Sequence, residues 1–422
     1  MSTRQFDGAA YVRVETDPLL SDVDVEPQPS LLRSYRCYCA VCACSLLALV
    51  LPPWLYFFLV KTTAGMAVGR FLTIDDLMVQ EFCHQGLTME NITYNNWWPG
   101  CLYGTPRQNC TDPCYDVSIL ERMDAFNKQY PGQLVTYQSR SGPMDAVELT
   151  GWWLPAPNES AAPRIVLQHG FEQNSNAHSP QLAAYMLRSL GFSVFLPNLR
   201  DHCYSSNTSE HVYQWSSAYP LDLLGAWDYV VADPNGLLGG QREARHVGLQ
   251  GFSQGAFVAS AAFGLEGRAP AAWVDAGPWT PRAAFEHSAR REFEDLGLGF
   301  AAGALVSSTW QSVKRAALEK GIDLNLQLPE QTLPLGPDTK RPMYIVANED
   351  DETVPYSEHL LLKQFLAKYP DKYNVVDWVS TGVCHGSAHH TDIFSKHEEY
   401  KDRLCSFWAE AFDIDTSYCF LP

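Results

Sequence analysis

Polar and apolar residues alternate along QLVTY, residues 133–137, as in a strand with one buried face. They alternate again along VELTGWWL, residues 147–154, which reads as the hairpin partner. Further on, short and mostly apolar runs replace the alternation: Ile165-Val166-Leu167, Phe192-Ser193-Val194-Phe195-Leu196, Val247-Gly248-Leu249, Ala272-Trp273-Val274, Tyr344-Ile345-Val346-Ala347 and Val375-Val376-Asp377-Trp378-Val379. Such runs suit strands covered on both faces. Helix-like stretches lie among them: 180–189, an amphipathic 221–231 and an alanine-rich 256–265. Strands alternating with helices predict right-handed crossovers and a mostly parallel sheet flanked by helices, an α/β fold. No internal repeat is visible.

One stretch departs from this pattern. Residues 37–60, CYCAVCACSLLALVLPPWLYFFLV, carry no charge, and about 20 apolar residues cross a bilayer core. Trp54 and Tyr56 lie toward one end, and a membrane helix tolerates a kink at Pro52-Pro53. The run is too long, and its 36-residue leader too extended, for a cleaved secretory signal. Arg33 and Arg36 before it balance Lys61 and Arg70 after it, so charge does not set an orientation. The N-glycosylation sequons do: those at Asn91, Asn109, Asn158 and Asn207 all follow the span. The expectation is a single-pass signal anchor with a flexible acidic cytosolic tail, residues 1–36, and a C-terminal domain that is lumenal or extracellular. In that tail, Glu15-Thr16-Asp17-Pro18-Leu19-Leu20 resembles an acidic dileucine signal, which points to endosomes or lysosomes.

Composition narrows the partners. A net charge of −18 disfavours nucleic acid, because phosphate binding needs a basic face. Hydrophobic content of 46% supports a large core. Of the 12 cysteines, Cys37, Cys39, Cys42 and Cys44 sit at one end of the apolar run, either as a palmitoylation site or as small apolar residues. The other eight, Cys83, Cys101, Cys110, Cys114, Cys203, Cys384, Cys405 and Cys419, suit disulfides in an oxidising compartment. A zinc site among Cys101, Cys110 and Cys114 lacks a clear fourth ligand, so no metal is expected there, and the serine chemistry described below needs no metal or organic cofactor.

The chemistry concentrates at Gly251-Phe252-Ser253-Gln254-Gly255. A G-x-S-x-G arises by accident in roughly one chain in seven of this length, so its setting matters. Here an apolar strand runs directly into the motif and a small-residue helix leaves it. A turn that tight needs residues without bulk at Gly251 and Gly255, and the following helix N-terminus favours negative charge at the serine oxygen. A serine hydroxyl becomes a nucleophile only when a base takes its proton, and that base needs an orienting carboxylate. Both appear later, after strands: Asp350 and Asp351 in one loop, and His385, His389 and His390 in the next.

With these residues in place, the chain from about 133 to 412 resembles an α/β-hydrolase of the esterase, acylglycerol lipase and peptidase branch. Gln168-His169-Gly170-Phe171 is similar to its strand-H-G motif, and Asn198-Leu199-Arg200-Asp201-His202-Cys203-Tyr204-Ser205 to its arginine-histidine-serine loop. Asn348 through Pro355 match the acid loop, with Asn348 where the family has glycine. Asn tolerates positive φ better than most residues. The resemblance implies Ser253 as nucleophile, Asp351 as acid and His389 as base, the last because Tyr400 follows it by eleven residues; Asp350, His390 and His385 stand as alternatives. It implies an oxyanion hole from the backbone N–H groups of Phe171 and Gln254, with Phe171 and Trp279 as candidate pocket walls.

It also divides the chain into a Cys-containing extension 61–130, a hydrolase domain 131–415 with a small cap at about 280–340, and a tail 416–422. The implied activity is hydrolysis of a small-molecule or lipid ester. Thioesterase, peptidase and acyltransferase chemistry use the same triad, and a non-catalytic adhesion or receptor domain is the rival from another class.

Overall fold

The computed structural model describes residues 65, 69, 71–74, 83, 118–140, 147–159, 162–295, 297, 299, 302–383 and 388–420. All of them belong to one compact unit, Val60–Pro422. A helix α1 (Ser118–Gln129) precedes the hairpin β1 (Gln133–Gln138) and β2 (Glu148–Leu154). Then follow β3 (Arg164–Gln168), α2 (His178–Ser189), β4 (Ser193–Pro197), α3 (Trp215–Ala232), β5 (Val247–Phe252), α4 (Gln254–Leu265) and β6 (Ala272–Asp275). Two helices, α5 (Pro281–Asp295) and α6 (Ala302–Glu319), and a short α7 (Pro329–Thr332) separate β6 from β7 (Arg341–Asn348). The chain closes with α8 (Tyr356–Leu366), β8 (Tyr373–Ser380), α9 (Asp392–Ser395) and α10 (His397–Ala411).

The strands form one eight-stranded sheet in the order β1-β2-β4-β3-β5-β6-β7-β8. Only the β1–β2 and β2–β4 pairs are antiparallel. The remaining pairs are parallel, as the alternating strand and helix pattern predicts. This is the α/β-hydrolase-like arrangement of a mostly parallel sheet flanked by helices. Every residue of β3, β4 and β5 is buried, which is why those runs are mostly apolar, with Arg164, Gln168, Ser193 and Gln250 as the buried polar exceptions. β8 lies at the sheet edge and alternates in burial. On one face Val166, Leu249 and Ile345 pack with Trp227 and Phe257 of α3 and α4. On the other, Ile165, Leu167 and Trp273 pack with Met186 and Trp408 of α2 and α10. Helix α3 begins well before its amphipathic stretch and runs through Pro220, a residue that in sequence marks a boundary. Burial of Trp215 and Tyr219 holds its first turn in place.

Two disulfides join described cysteines, Cys83–Cys203 and Cys405–Cys419, compatible with an oxidising compartment. Cys101, Cys110, Cys114 and Cys384 lie outside the described residues, as do Asn91, Asn109 and the tail 1–36. Asn158 and Asn207 are exposed. The expected membrane placement requires correction: among the described residues no helix is long and apolar enough to cross a membrane. The stretch on which that expectation rested, residues 37–60, lies outside the described residues.

Candidate active site

β5 ends at Phe252 and α4 begins at Gln254, so Ser253 alone makes the turn between them. Its backbone sits at φ 53° and ψ −121°. A side chain held there costs on the order of 1–3 kcal/mol and persists only where its surroundings dictate it. Those surroundings are specific. The Ser253 N–H donates to the Asp275 carbonyl at 2.8 Å, and the Ser253 carbonyl accepts from the Ala256 and Phe257 N–H groups at 2.9 and 3.2 Å. A Cβ on Gly251 would stand 2.1 Å from the Gly255 carbonyl oxygen, and one on Gly255 would stand 2.4 Å from the oxygens of both Gln168 and His169. Neither position has room for any other residue.

The carboxyl ends of β5 to β8 lie side by side, with Phe252 opposite Asp275, Asp275 opposite Val346, and Asn348 opposite Ser380. The loops that leave β7 and β8 therefore start at the same end of the sheet as the serine turn. From them, Asp351 Oδ2 and His389 Nδ1 meet at 2.7 Å. Asp351 Oδ1 accepts from the Thr353 and Val354 N–H groups at 2.8 and 2.9 Å. With the Nδ1 proton directed at this buried carboxylate, His389 keeps a lone pair on Nε2 for accepting a proton.

The alternatives go elsewhere. Asp350 is exposed, and its Oδ2 accepts the Gly382 N–H at 2.7 Å, tying the β7 loop to the β8 loop. His390 is turned to Ser179 Oγ at 2.9 Å and meets Phe252 edge-on. Burial, helped by the neighbouring His389 and His178, pushes the His390 pKa well down. His385 lies outside the described residues. Asn348 does not use the expected tolerance for positive φ. It ends β7, donates from Nδ2 to the Gly382 carbonyl at 3.0 Å, and accepts the Asp350 N–H at 2.9 Å.

The loop after β3 brings Gly170 against the serine, where a Cβ would stand 3.3 Å from Ser253 Cβ. Gly170 donates its N–H to Gln173 Oε1 at 3.0 Å, and its carbonyl accepts from His169 Nδ1 at 2.9 Å. A trans peptide points its C=O and N–H in opposite directions, so the His169 contact aims the Phe171 N–H away from the ring. Gln254 opens α4, and N–H groups of a first turn have no intrahelical acceptor. His169 packs on His202, whose Nδ1 donates to the Arg200 carbonyl at 2.7 Å. Burial lowers these two histidines to about 3 and about 4, so both imidazoles are neutral at ordinary pH. The Arg200 guanidinium is fixed by the buried Asp222 carboxylate at 2.6 Å, which anchors the loop after β4.

Sequence reasoning missed Asp275. It is buried at the end of β6, with Tyr400 Oη donating to its Oδ2 at 2.7 Å. Burial pushes its pKa well up, against the Tyr400 hydrogen bond and with the help of the Asp392 and Asp351 charges. An aspartate ending an apolar run carries no distinguishing signal. Tyr400, a spacing marker in the sequence, is thus a hydrogen-bonding partner beneath the site. Trp279 packs at a tilt against Phe365 and lines a small cavity beside Asp351, whereas Phe171 packs on Tyr213 and Trp215. Among the described residues no group of three or more His, Cys, Asp or Glu could hold a metal ion.

No protein-family model matches the chain, and no curated protein matches it. Among solved structures, the Pyrococcus furiosus esterase Pf2001 is similar at 18% identity, over 67% of this chain and 91% of that one, with a TM-score of 0.49. The α/β hydrolase GrgF from a Penicillium species is similar at 17% identity, over 67% of this chain and 100% of that one, with a TM-score of 0.46. The Pyrococcus horikoshii acylaminoacyl peptidase is similar at 17% identity, over 69% of this chain and 44% of that one, with a TM-score of 0.44.

Proposed function

We propose that the chain is a serine hydrolase that cleaves carboxylic esters. The observation that carries this reading is the 2.7 Å contact of His389 Nδ1 with Asp351 Oδ2, in loops at the same end of the sheet as the strained turn that presents Ser253. His389 Nε2 takes the Ser253 hydroxyl proton as Oγ attacks the acyl carbon, and Asp351 stabilises the imidazolium that forms. The N–H groups of Phe171 and Gln254 receive the oxyanion, each worth about 2.7–4 kcal/mol in sites of this kind. His389 then returns the proton to the leaving alkoxide, and the alcohol departs. Water, deprotonated by the same imidazole, attacks the acyl-enzyme carbonyl, and His389 returns that proton to Ser253 Oγ as the acyl–oxygen bond breaks and the acid leaves. Helices α5 and α6, inserted between β6 and β7, serve as the cap.

Thioester, amide and acyl-transfer chemistry would use the same residues, and a panel of acyl donors and acceptors separates them. The first test is covalent labelling of the full chain by a fluorophosphonate, with Ser253→Ala beside wild type. Labelling of wild type alone supports the reading. A folded wild type that stays unlabelled sinks it, and favours the adhesion or receptor alternative.

A further inference from the structure

Phe71 precedes the sheet by some sixty residues, yet its side chain sits among aromatic rings that border the serine site. It is 8% exposed and stacks on Trp215 with ring centroids 5.1 Å apart. Phe171 lies parallel to it at 6.1 Å, and the edges of Phe285 and Trp310 close on it at 5.3 and 6.1 Å. Phe285 belongs to α5 and Trp310 to α6, so the ring is held between the inserted helices and the body of the sheet. Two short paths lead from it to Ser253. Phe171 follows Gly170, which lies against Ser253 Cβ, and Trp215 packs on Phe257, whose N–H is bonded to the Ser253 carbonyl.

The segment that carries Phe71 is fastened. The Tyr213 N–H donates to the Leu72 carbonyl at 2.7 Å, Thr73 bridges to Val212, and Leu72 and Ile74 are buried. Cys83 then joins Cys203 in the loop after β4. A ring clamped in this way acts as a fixed wall rather than a passing contact. It fills apolar space bordered by Phe171 and Trp215, the two rings that lead toward Ser253.

From this packing we propose that Phe71 sets the acyl-chain length the Ser253 site accepts, admitting short acyl groups and excluding long ones. The inference rests on the hydrolase reading above. Removing the ring would leave an apolar cavity, and cavities of that kind stay dry and take hydrocarbon ligands.

The test uses the full chain with p-nitrophenyl acetate and octanoate. Wild type should favour acetate, and Phe71→Ala should raise the octanoate-to-acetate ratio of kcat/KM by at least about tenfold, the scale at which pockets sense methylene groups. Phe71→Leu, which keeps most of the packing, should move the ratio in the same direction by less, and it decides the matter if the alanine variant does not fold. A ratio unchanged in the folded variants, or a wild type that prefers octanoate, overturns the proposal. Octanoate titration in a Ser253→Ala background distinguishes its failure from that of the hydrolase reading. If no ester is turned over, a tenfold tighter affinity on adding Phe71→Ala still supports the pocket, and equal affinities overturn it.

Discussion

Asp351 holds His389 by one carboxylate oxygen, Oδ2 to Nδ1 at 2.7 Å, while its other oxygen is held by the Thr353 and Val354 N–H groups. The carboxylate is therefore oriented by backbone on one side and orients the imidazole on the other. Asp351→Asn leaves this shape but presents the wrong partner to Nδ1, which favours the unproductive tautomer. Such a change typically costs about 10⁴-fold in kcat. Asp350→Asn should cost less than about tenfold, because Asp350 contacts Gly382 and not the imidazole. Steady-state kinetics on both variants check the assignment, and a larger loss at Asp350 would reverse it.

The elbow was legible in the sequence because its constraint is local. Two glycines flank Ser253, and both are needed by atoms within a few residues or on the adjacent strand. The mostly parallel sheet was legible for a similar reason, since burial on both faces writes an apolar run. In the sequence Asp351 stands beside Asp350 and His389 beside His385 and His390, because one position along a loop decides which side chain turns inward. The environments of Asp275 and Phe71 were not legible. Each depends on chain brought from far away, Tyr400 for the first and the inserted helices for the second. Residues 37–60 mark the opposite limit, where a strong apolar signal has no counterpart among the described residues.

Gly255 offers a test of the turn that leaves the side chains of Ser253, Asp351 and His389 unchanged. An alanine Cβ there would lie 2.4 Å from the carbonyl oxygens of Gln168 and His169, so strand β3 and its loop must move. Overpacking of this kind typically costs 1–3 kcal/mol. Gly255→Ala should therefore lower the unfolding free energy by about that amount in chemical denaturation. It should also reduce fluorophosphonate labelling, because the displaced loop carries the Phe171 N–H. Unaltered stability would mean that the turn is looser than these distances indicate.

Asp275 makes stability fall as pH rises. Burial holds its folded pKa well above the ordinary aspartate value of about 3.9, so the folded chain keeps a proton that the unfolded chain releases. Above that ordinary value the unfolded state binds fewer protons, and stability drops until the folded pKa is passed. Asp275→Asn keeps an acceptor for Tyr400 Oη and cannot ionise. Between pH 5 and pH 8 the variant should gain stability relative to wild type as pH rises, read from denaturation midpoints, beyond the pH dependence that both share through His169 and His202. Parallel curves would show that Asp275 ionises normally in the fold.

His202 acts in the opposite sense. Burial lowers its folded pKa to about 4, and that of its neighbour His169 to about 3, whereas free histidine titrates near 6.5. Below about pH 6.5 the unfolded chain gains protons that the folded chain refuses, so the stability these histidines confer is present above that value and lost as pH falls toward their folded pKa values. From neutral pH down to pH 5 each histidine should account for roughly 2 kcal/mol of the loss. His202→Phe gives up the hydrogen bond to the Arg200 carbonyl and should be less stable than wild type at neutral pH. It should nevertheless lose roughly 2 kcal/mol less on acidification. Denaturant unfolding at pH 7 and pH 5 measures both differences, and an unchanged loss in the variant would mean that His202 takes up its proton inside the fold.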